Sequence, residues 1–259
     1  MKTNILKPIL VFTLITVFNG LISLECIASE NRDYFSEAKD KYSTFKNKTN
    51  DMALIQSFEA ATPDGQTVNE EALTAIKGSK YRVEIKLDLP EDGQLPSGIE
   101  DAESMIIFDG TDSWMIPPFT EKEELAYPDS KKYQRDTAFW DTLIANGEMT
   151  GEEMLGNYDC ILAQATDEKG EKFTLWIEKD TWNLIQAENH NEGSGKINFW
   201  NSDFRKIEGN WEIPFKQEVY VDGKLVLTSL VKSVKVNQNP ADELFDPDRA
   251  SLKNRGLKM

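Results

Sequence analysis

Cysteine and histidine are almost absent from this chain of 259 residues, which contains two cysteines and one histidine. Nucleophilic sets such as Cys/His/Asp or Ser/His/Asp, and Cys/His metal sites, depend on these side chains, so their scarcity argues against both. The sequence also contains neither G-x-S-x-G nor H-E-x-x-H. We therefore predict no catalytic residue, no metal site and no cofactor, and we expect that the protein is not an enzyme.

Basic residues are outnumbered, with 29 Lys and Arg against 45 Asp and Glu and a formal net charge of -16. Nucleic acids are bound through Lys and Arg contacts to phosphate, so we expect no nucleic-acid partner. The same shortage removes the basic patch that would hold an anionic membrane surface. The simplest interpretation of the negative charge is a soluble exterior.

The acidic residues do not form a recognisable site. Asp109–Asp112 and Asp167–Glu171 lack the D-x-D-x-D-G…E spacing of a calcium loop, and we interpret both as turns. Among so many carboxylates no glycosidase-type pair can be singled out. An enzyme with a carboxylate site is therefore the weakest of three functional hypotheses.

Long hydrophobic runs are absent after the first 28 residues, and only Ile9–Leu24 is almost wholly apolar. Lys2 and Lys7 precede this run, and the small-residue site Cys26-Ile27-Ala28 follows it. This order of charge, apolar stretch and small residues is typical of a secretory signal peptide. We predict a signal peptide over residues 1–28, cleaved near Ala28, and a mature protein that works outside the cytoplasm.

Two alternatives to cleavage are less consistent with the sequence. A membrane anchor is disfavoured because Asn19 and Gly20 interrupt the apolar run and Glu25 ends it, which makes it short for a spanning helix. Attachment of lipid to Cys26 is disfavoured because Leu24-Glu25 is a poor match to the small residues required there. Cleavage remains the favoured interpretation.

The mature chain, residues 29–259, is predicted to be a single domain. Cleavage removes Cys26 and leaves Cys160 alone, so no internal disulfide can form and the core must stabilise the fold. About 230 residues are enough for such a core. Cys160 lies in a predicted strand and is expected to be a small buried residue, whereas His190 is expected at the edge of a loop.

Period-two alternation dominates the mature chain and predicts strands. Its clearest instance is Tyr81–Leu89, in which apolar residues alternate with charged ones. Asp222-Gly223 is the strongest hairpin signal. Further strands are predicted, between turn signals, over Ser104–Phe108, Ser113–Ile116, Tyr158–Thr166, Glu171–Glu178, Trp182–Asn191, Lys196–Ile207, Ile213–Val221 and Lys224–Val236. About ten strands joined by hairpins indicate a mainly β (α+β) fold built on a large antiparallel meander.

Helical periodicity is confined to a few segments. Asn31–Phe45 carries an apolar stripe and predicts an N-terminal helix. Pro117–Gly156 is predicted to be a largely helical insert, with a helix that begins at Asp136 or Thr137 and ends at Gly147. A short helical turn is predicted over Thr150–Leu155, and another over Pro240–Phe245.

The order of these segments resembles that of the LolA-like family of outer-membrane lipoprotein carriers and lipoprotein-sorting proteins, over nearly all of the mature chain. Each motif is weak alone, but their order and spacing together are moderately specific. The motifs are Tyr81-Arg82-Val83-Glu84, Phe108-Asp109-Gly110-x-x-x-Trp114, Gly156-x-x-x-Cys160, Leu175-Trp176-Ile177-Glu178, Ile213-Pro214 and Val236-Asn237-x-x-Pro240-x-x-x-Leu244-Phe245-Asp246-Pro247.

The resemblance implies a curved sheet that forms a half-open barrel, covered by the N-terminal helix and the mid-chain helical insert. In the family, the apolar cavity of this barrel binds the acyl chains of lipoproteins or lipids. It also implies a periplasmic, chaperone-like carrier, which we expect to be a monomer, with membrane-bound donor and acceptor proteins as further partners. Carriers of this kind hold the lid shut with a cavity Arg, but Arg82 alternates with the apolar residues and is expected to point away.

Candidate site residues follow from the alternation and the resemblance together. The candidate cavity lining comprises Val83, Ile85, Leu87, Ile107, Trp114, Leu175 and Trp176. The candidate lid comprises Phe139, Trp140, Leu143 and Ile144. Ordinary core packing is the favoured explanation for each tryptophan taken alone. A helix that merely packs on the sheet looks the same as a lid in sequence, and both interpretations of that helix remain open. A register shift of one residue would reverse every lining assignment.

The alternative function is that of an RseB-like periplasmic sensor, which uses the same half-barrel to bind a partner protein or a lipid signal. Such regulators usually carry a second C-terminal domain. In this chain little sequence follows Phe245, and the carrier is therefore the favoured hypothesis.

Overall fold

The structure is a computed structural model that describes residues 37, 48–61, 65–88, 103–116, 123–124, 143–144, 147–167, 170–189, 195–207 and 211–249. The predicted signal peptide lies outside these residues, as do His190 and all of the predicted N-terminal helix except Glu37, which is helical. Among the described residues, no helix is long and apolar enough to cross a membrane.

The described chain is mainly β, and its strands form one antiparallel sheet of 13 strands. The strands are β1 Asp51–Ala61, β2 Thr67–Lys77, β3 Lys80–Asp88, β4 Glu103–Phe108, β5 Ser113–Ile116, β6 Glu123–Glu124, β7 Glu148–Leu155, β8 Tyr158–Thr166, β9 Lys172–Glu178, β10 Leu184–Asn189, β11 Ile197–Lys206, β12 Glu212–Val221 and β13 Lys224–Val236. A 3-10 helix, Asp242–Phe245, follows β13 and confirms the helical turn predicted there.

The strand order is that of two meanders joined in the middle of the sheet. The chain enters at β1 and steps outward, strand by strand, to one edge at β6. It reappears at the opposite edge as β7 and steps back to β13, which pairs with β1. Because β6 and β7 do not pair with each other, the sheet is open. The segment between them therefore connects the two edges.

The hairpin between β12 and β13 forms where the sequence predicted it. Asp222 and Gly223 both adopt positive φ, 49° and 76°, as a type I′ turn requires. The Asp222 carboxylate also accepts a hydrogen bond from the backbone N–H of Lys196 at 2.9 Å. The turn thus connects two strands and contacts the start of a third.

Asp109 organises the turn between β4 and β5. Its Oδ1 accepts hydrogen bonds from the backbone N–H groups of Thr111 and Asp112, and its Oδ2 accepts one from the indole of Trp114. Burial alone would raise the pKa of Asp109, but these hydrogen bonds and nearby Lys80 lower it below the usual value. The Phe108-Asp109-Gly110-x-x-x-Trp114 motif is therefore a turn-stabilising unit.

The prediction of a helical turn over Thr150–Leu155 is wrong, because these residues belong to β7. The backbone of β7 pairs with β8 from Glu148 opposite Gln164 to Leu155 opposite Tyr158. The turn that joins them contains Gly156 at a φ of 62°, which permits the tight reversal. Strand pairing across this turn overrides the local preference for helix.

Alternation along the strands gives the sheet two distinct faces. The core face carries a main apolar cluster, formed by Phe58, Ala60, Ala72, Tyr81, Val83, Ile85, Ile106, Phe108, Leu143, Ile144, Ala163, Ala165, Phe173, Leu175, Ile177, Leu184, Ala187, Phe199, Val219 and Leu227. The outer face carries the alternate side chains. The 3-10 helix packs on it through Leu244 and Phe245, which contact Ala75.

Candidate functional site

The main apolar cluster of the core face is the candidate site. It draws side chains from β1 to β4 and from β8 to β13, so both meanders contribute to one continuous apolar surface. Leu143 and Ile144 are helical and 1% and 2% exposed, and they belong to the same cluster. The segment that connects the two sheet edges therefore contacts the core face. The other two candidate lid residues, Phe139 and Trp140, lie outside the described residues.

The structure divides the candidate lining residues between the two faces. Val83, Ile85 and Leu175 lie in the main apolar cluster. Leu87 lies on β3, but its side chain is outside the described part of the structure. Three more candidates, Ile107, Trp114 and Trp176, have the opposite phase and lie on the outer face. The structure thus brings together one subset of the candidates.

Strand geometry explains this division. Consecutive residues of a strand point to opposite faces, so Leu175 and Trp176 cannot line the same surface. The Trp176 indole donates a hydrogen bond to Glu153 at 3.3 Å on the outer face. Ile107 is fully buried although it is on the outer face, which shows that both faces of β4 bury apolar side chains.

A second, smaller apolar cluster lies on the core face towards the other end of the strands. It consists of Met52, Leu54, Trp211, Ile213, Phe215, Val231 and Val236. Partly buried Ile76 packs against both clusters. The core face therefore offers two apolar surfaces of unequal size.

Polar side chains separate these two apolar clusters. We call this group the polar band; it consists of Gln56, Thr74, Asn201, Gln217 and Ser229 at the boundary, together with Glu70, which lies opposite Phe58 of the main cluster. Every member is buried, from 0% exposed for Gln56 to 6% exposed for Glu70. The Gln217 amide donates a hydrogen bond to Asn201 Oδ1, and the Asn201 amide donates one to the carbonyl oxygen of Leu184, both at 2.9 Å.

Glu70 is the one acidic member of the polar band. Burial raises its pKa to about 7, because desolvation penalises the charged carboxylate. Glu70, like Gln56 and Thr74, is not among the candidate residues predicted from the sequence, because the sequence pattern predicts neither β1 nor β2. The sequence does contain a signal for Gln217 and Ser229. Each lies two residues from an apolar core-face residue of its strand, Val219 and Leu227 respectively, and therefore points to the same face.

Arg82 faces away from the candidate site, as predicted. Its guanidinium is 1% exposed and donates from Nε to Glu84 at 2.6 Å and from Nη1 to the carbonyl oxygen of Leu244 at 3.0 Å. Arg82 thereby attaches the 3-10 helix to the outer face of β3. Beside it is a surface groove of about 500 Å³ lined by Lys80, Asp109, Trp114, Asp242, Glu243, Phe245, Asp246, Pro247, Asp248 and Arg249.

Cys160 is fully buried on β8, as the sequence predicted. Burial, reinforced by the neighbouring carboxylates of Glu178 and Asp159, raises the pKa of its thiol to about 11. The thiol is therefore protonated and unreactive at neutral pH. Among the described residues, no group of three or more His, Cys, Asp or Glu side chains is placed to hold a metal ion.

Comparison by sequence finds no match, either to a family model or to a curated protein. Comparison by structure does find matches. A DUF1329 family protein from Desulfovibrio piger has a TM-score of 0.59 at 15% identity, covering 83% of this chain and 98% of that one. A LolA superfamily protein from Nitrosomonas europaea has a TM-score of 0.59 at 14% identity, covering 84% of this chain and 100% of the other.

A third solved structure, a domain from Vibrio parahaemolyticus described as an outer membrane lipoprotein-sorting protein, has a TM-score of 0.57 at 9% identity. The match covers 83% of this chain and 98% of that domain. At such low identities the likeness concerns the fold, and it agrees with the resemblance carried by the sequence motifs. The chain therefore has the fold shared by LolA superfamily, lipoprotein-sorting and DUF1329 proteins.

Proposed function

We propose that this protein is a periplasmic carrier that binds the acyl chains of lipoproteins or other lipids on the core face of its sheet. The observation that carries the proposal is the continuous apolar cluster, which draws on both meanders of an open sheet. An apolar surface of this extent is costly in water, at about 25 cal/mol per Å², unless something covers it. An acyl chain gains about 0.8 kcal/mol for each CH₂ group that it buries there.

The open edges of the sheet give such a carrier a way to admit its ligand. Curling of the sheet would bring β6 and β7 towards each other and form a half-barrel around the cluster. Leu143 and Ile144 would then be part of a lid, because both lie in the same apolar cluster. Binding of this kind needs no covalent chemistry, and we propose a non-catalytic role.

The predicted export of the protein is consistent with a role as a periplasmic carrier. The segment 1–28 would direct the chain across the inner membrane and be removed near Ala28. The fold neighbours include a protein described as serving outer membrane lipoprotein sorting, which supports a periplasmic site of action. N-terminal sequencing of the protein from a periplasmic fraction should begin at Ser29.

The direct test is to isolate the exported protein and examine it by native mass spectrometry and lipid extraction. We expect bound acyl species, and we expect added lipids to raise the melting temperature Tm. The deacylated counterpart of the same lipid is the matched control, and it should leave Tm unchanged. Absence of bound acyl species, together with no shift in Tm, would contradict the proposal. Recovery of an inner-membrane anti-sigma protein in a pull-down would instead favour the RseB-like alternative.

A further inference from the structure

The polar band contains hydrogen-bonding groups that are buried without a partner. Among the described residues, both polar atoms of the Gln56 amide, Oε2 of Glu70, and the hydroxyls of Thr74 and Ser229 make no hydrogen bond. Buried polar groups in folded proteins are nearly always paired, and an unpaired one destabilises the fold. A concentration of such groups on one surface therefore requires an explanation.

Strand register places these groups close together. Ser229 on β13 is directly opposite Phe58 on β1, and Phe58 is directly opposite Glu70 on β2. Gln56 is opposite Ala72, which stands between Glu70 and Thr74, and opposite Val231, two residues from Ser229. Gln56 is thus the diagonal neighbour of all three other unpaired residues. Diagonal neighbours are about 7–8 Å apart, within reach of a group held between them.

The band also lies at a boundary between apolar surfaces. On β1, Phe58 and Ala60 belong to the main cluster, whereas Met52 and Leu54 belong to the smaller one, with Gln56 between them. On β13, Ser229 likewise separates Leu227 from Val231. A ligand whose chain lies on the main cluster would therefore reach the band with its polar end.

We propose that the polar band is the subsite for the head of the acyl ligand, and that it selects a neutral head that both donates and accepts hydrogen bonds, such as an amide or a hydroxyl. This inference rests on the proposed binding of acyl chains to the core face. Gln56 supplies both donors and an acceptor, and Thr74 and Ser229 can act as either. The band contains no Lys or Arg to pair with an anionic head.

A cationic head is disfavoured by a separate observation. Glu70 is the sole acidic residue of the band, and desolvation raises its pKa to about 7, so burial favours its neutral form. In that form its carboxylic acid both donates and accepts. Below about pH 7 the whole band is then a neutral hydrogen-bonding surface, which fits a neutral head better than a charged one.

The first arm of the test uses the free protein and two matched variants. Gln56 and Gln217 lie on the same face and are 0% and 2% exposed, but only Gln217 has a hydrogen-bond partner. We expect Gln56→Leu to raise Tm by a few degrees, because it removes unpaired polar atoms, and Gln217→Leu to lower Tm. A fall in Tm for Gln56→Leu as large as that for Gln217→Leu would overturn the inference, since Gln56 would then have a structural partner.

The second arm uses ligands with one chain length and different heads. Dodecanamide, dodecanol, dodecanoate and dodecylammonium would each displace an apolar fluorescent dye from the protein. We expect the wild type to bind the two neutral heads about tenfold more tightly than the charged ones, and we expect Gln56→Leu to reduce this preference because it removes the hydrogen bonds to the amide and the hydroxyl. The preference is measured within each protein as the ratio of the affinities for the neutral and the charged heads, so a change in dye affinity does not affect it. A tenfold change corresponds to about 1.4 kcal/mol, the size of one good hydrogen bond.

The outcomes separate this inference from the proposed function. If the dye and all four ligands fail to bind, the proposed acyl-chain carrier is wrong and the inference falls with it. If the ligands bind without head preference, or if Gln56→Leu keeps the wild-type preference, acyl binding stands and the inference alone is overturned. Glu70→Gln should keep the preference for neutral heads, because it retains a neutral hydrogen-bonding group.

Discussion

At the scale of the residue, Arg82 is the clearest case of a charge held by specific partners. We predict that Arg82→Met lowers the free energy of unfolding by about 3 kcal/mol, because it leaves Glu84 without its buried cation and the Leu244 carbonyl without a donor. Chemical denaturation measures this loss. Arg249→Met is the control, since exposed Arg249 contacts the 3-10 helix only at its surface and should cost less than about 1 kcal/mol. Equal losses in the two variants would contradict this account of Arg82.

The raised pKa of Glu70 predicts that the free energy of unfolding decreases as the pH rises. Its pKa is raised in the folded state from 4.5 to about 7, so between these values the folded protein keeps a proton that the unfolded chain has released. Its contribution to stability is therefore fully present below pH 4.5 and is lost as the pH rises through about 7.

The matched variant Glu70→Gln removes this titration and leaves the other carboxylates in place. We expect the stability of the wild type relative to Glu70→Gln to fall by on the order of 3 kcal/mol between pH 4.5 and pH 8. Urea denaturation at a series of pH values measures the difference. Parallel stability curves for the two proteins would show that Glu70 titrates normally in the folded state.

At the scale of the element, the start of β1 and the end of β13 are joined by side chains. Asn237 adopts a φ of 55°, its Oδ1 accepts a hydrogen bond from the Asn50 N–H, and its amide donates one to the Lys48 carbonyl. The carboxylate of Asp51 accepts hydrogen bonds from the backbone N–H groups of Gln238 and Asn239. The Val236-Asn237-x-x-Pro240 motif therefore has a structural explanation.

We predict that Asn237→Ala lowers the free energy of unfolding by about 2 kcal/mol, because it removes two hydrogen bonds and places a Cβ-bearing residue without a local partner at positive φ. Asn237→Gly is the control, since glycine adopts the same φ without strain. Its loss should be smaller, and thermal unfolding of both variants checks the order. A glycine variant less stable than the alanine variant would contradict this account of the turn.

The elements that the sequence predicted well are those with strong turn signals and apolar alternation. The predicted strand Lys224–Val236 has the same bounds as β13 because Asp222-Gly223 fixes its start. Strands β1 and β2 were missed because their core-face positions include Gln56, Glu70 and Thr74, which break the apolar pattern. The polar residues of the band therefore obscure the alternation by which β1 and β2 would be predicted.

The sequence predicts which residues of one strand share a face of the sheet, but not which faces of different strands coincide. Alternation groups Val83 with Ile85, but it does not relate them to Ile107, because β4 buries apolar side chains on both faces. Strand register, which determines the face across the sheet, depends on the packing of the whole molecule. The same limit applies to Trp114 and Trp176, which the structure places on the outer face.

At the scale of the whole molecule, the topology explains why the site lies where it does. The chain begins and ends its sheet in the middle, so the two open edges are connected by the one segment that contains Leu143 and Ile144. The main apolar cluster therefore includes Leu143 and Ile144 from the segment that connects the two edges. This arrangement is consistent with the proposed binding of a ligand on the core face.

The most direct test of the central claim, that the core face binds acyl chains, is photo-crosslinking with a diazirine-bearing fatty acyl lipid followed by peptide mapping. We predict labelling of the core-face residues Val83, Ile85 and Leu175, and reduced labelling when unmodified lipid competes. Trp114 and Trp176, on the outer face of the same sheet, serve as internal controls and should remain unlabelled. Labelling confined to the outer face, or labelling that unmodified lipid does not reduce, would contradict the claim.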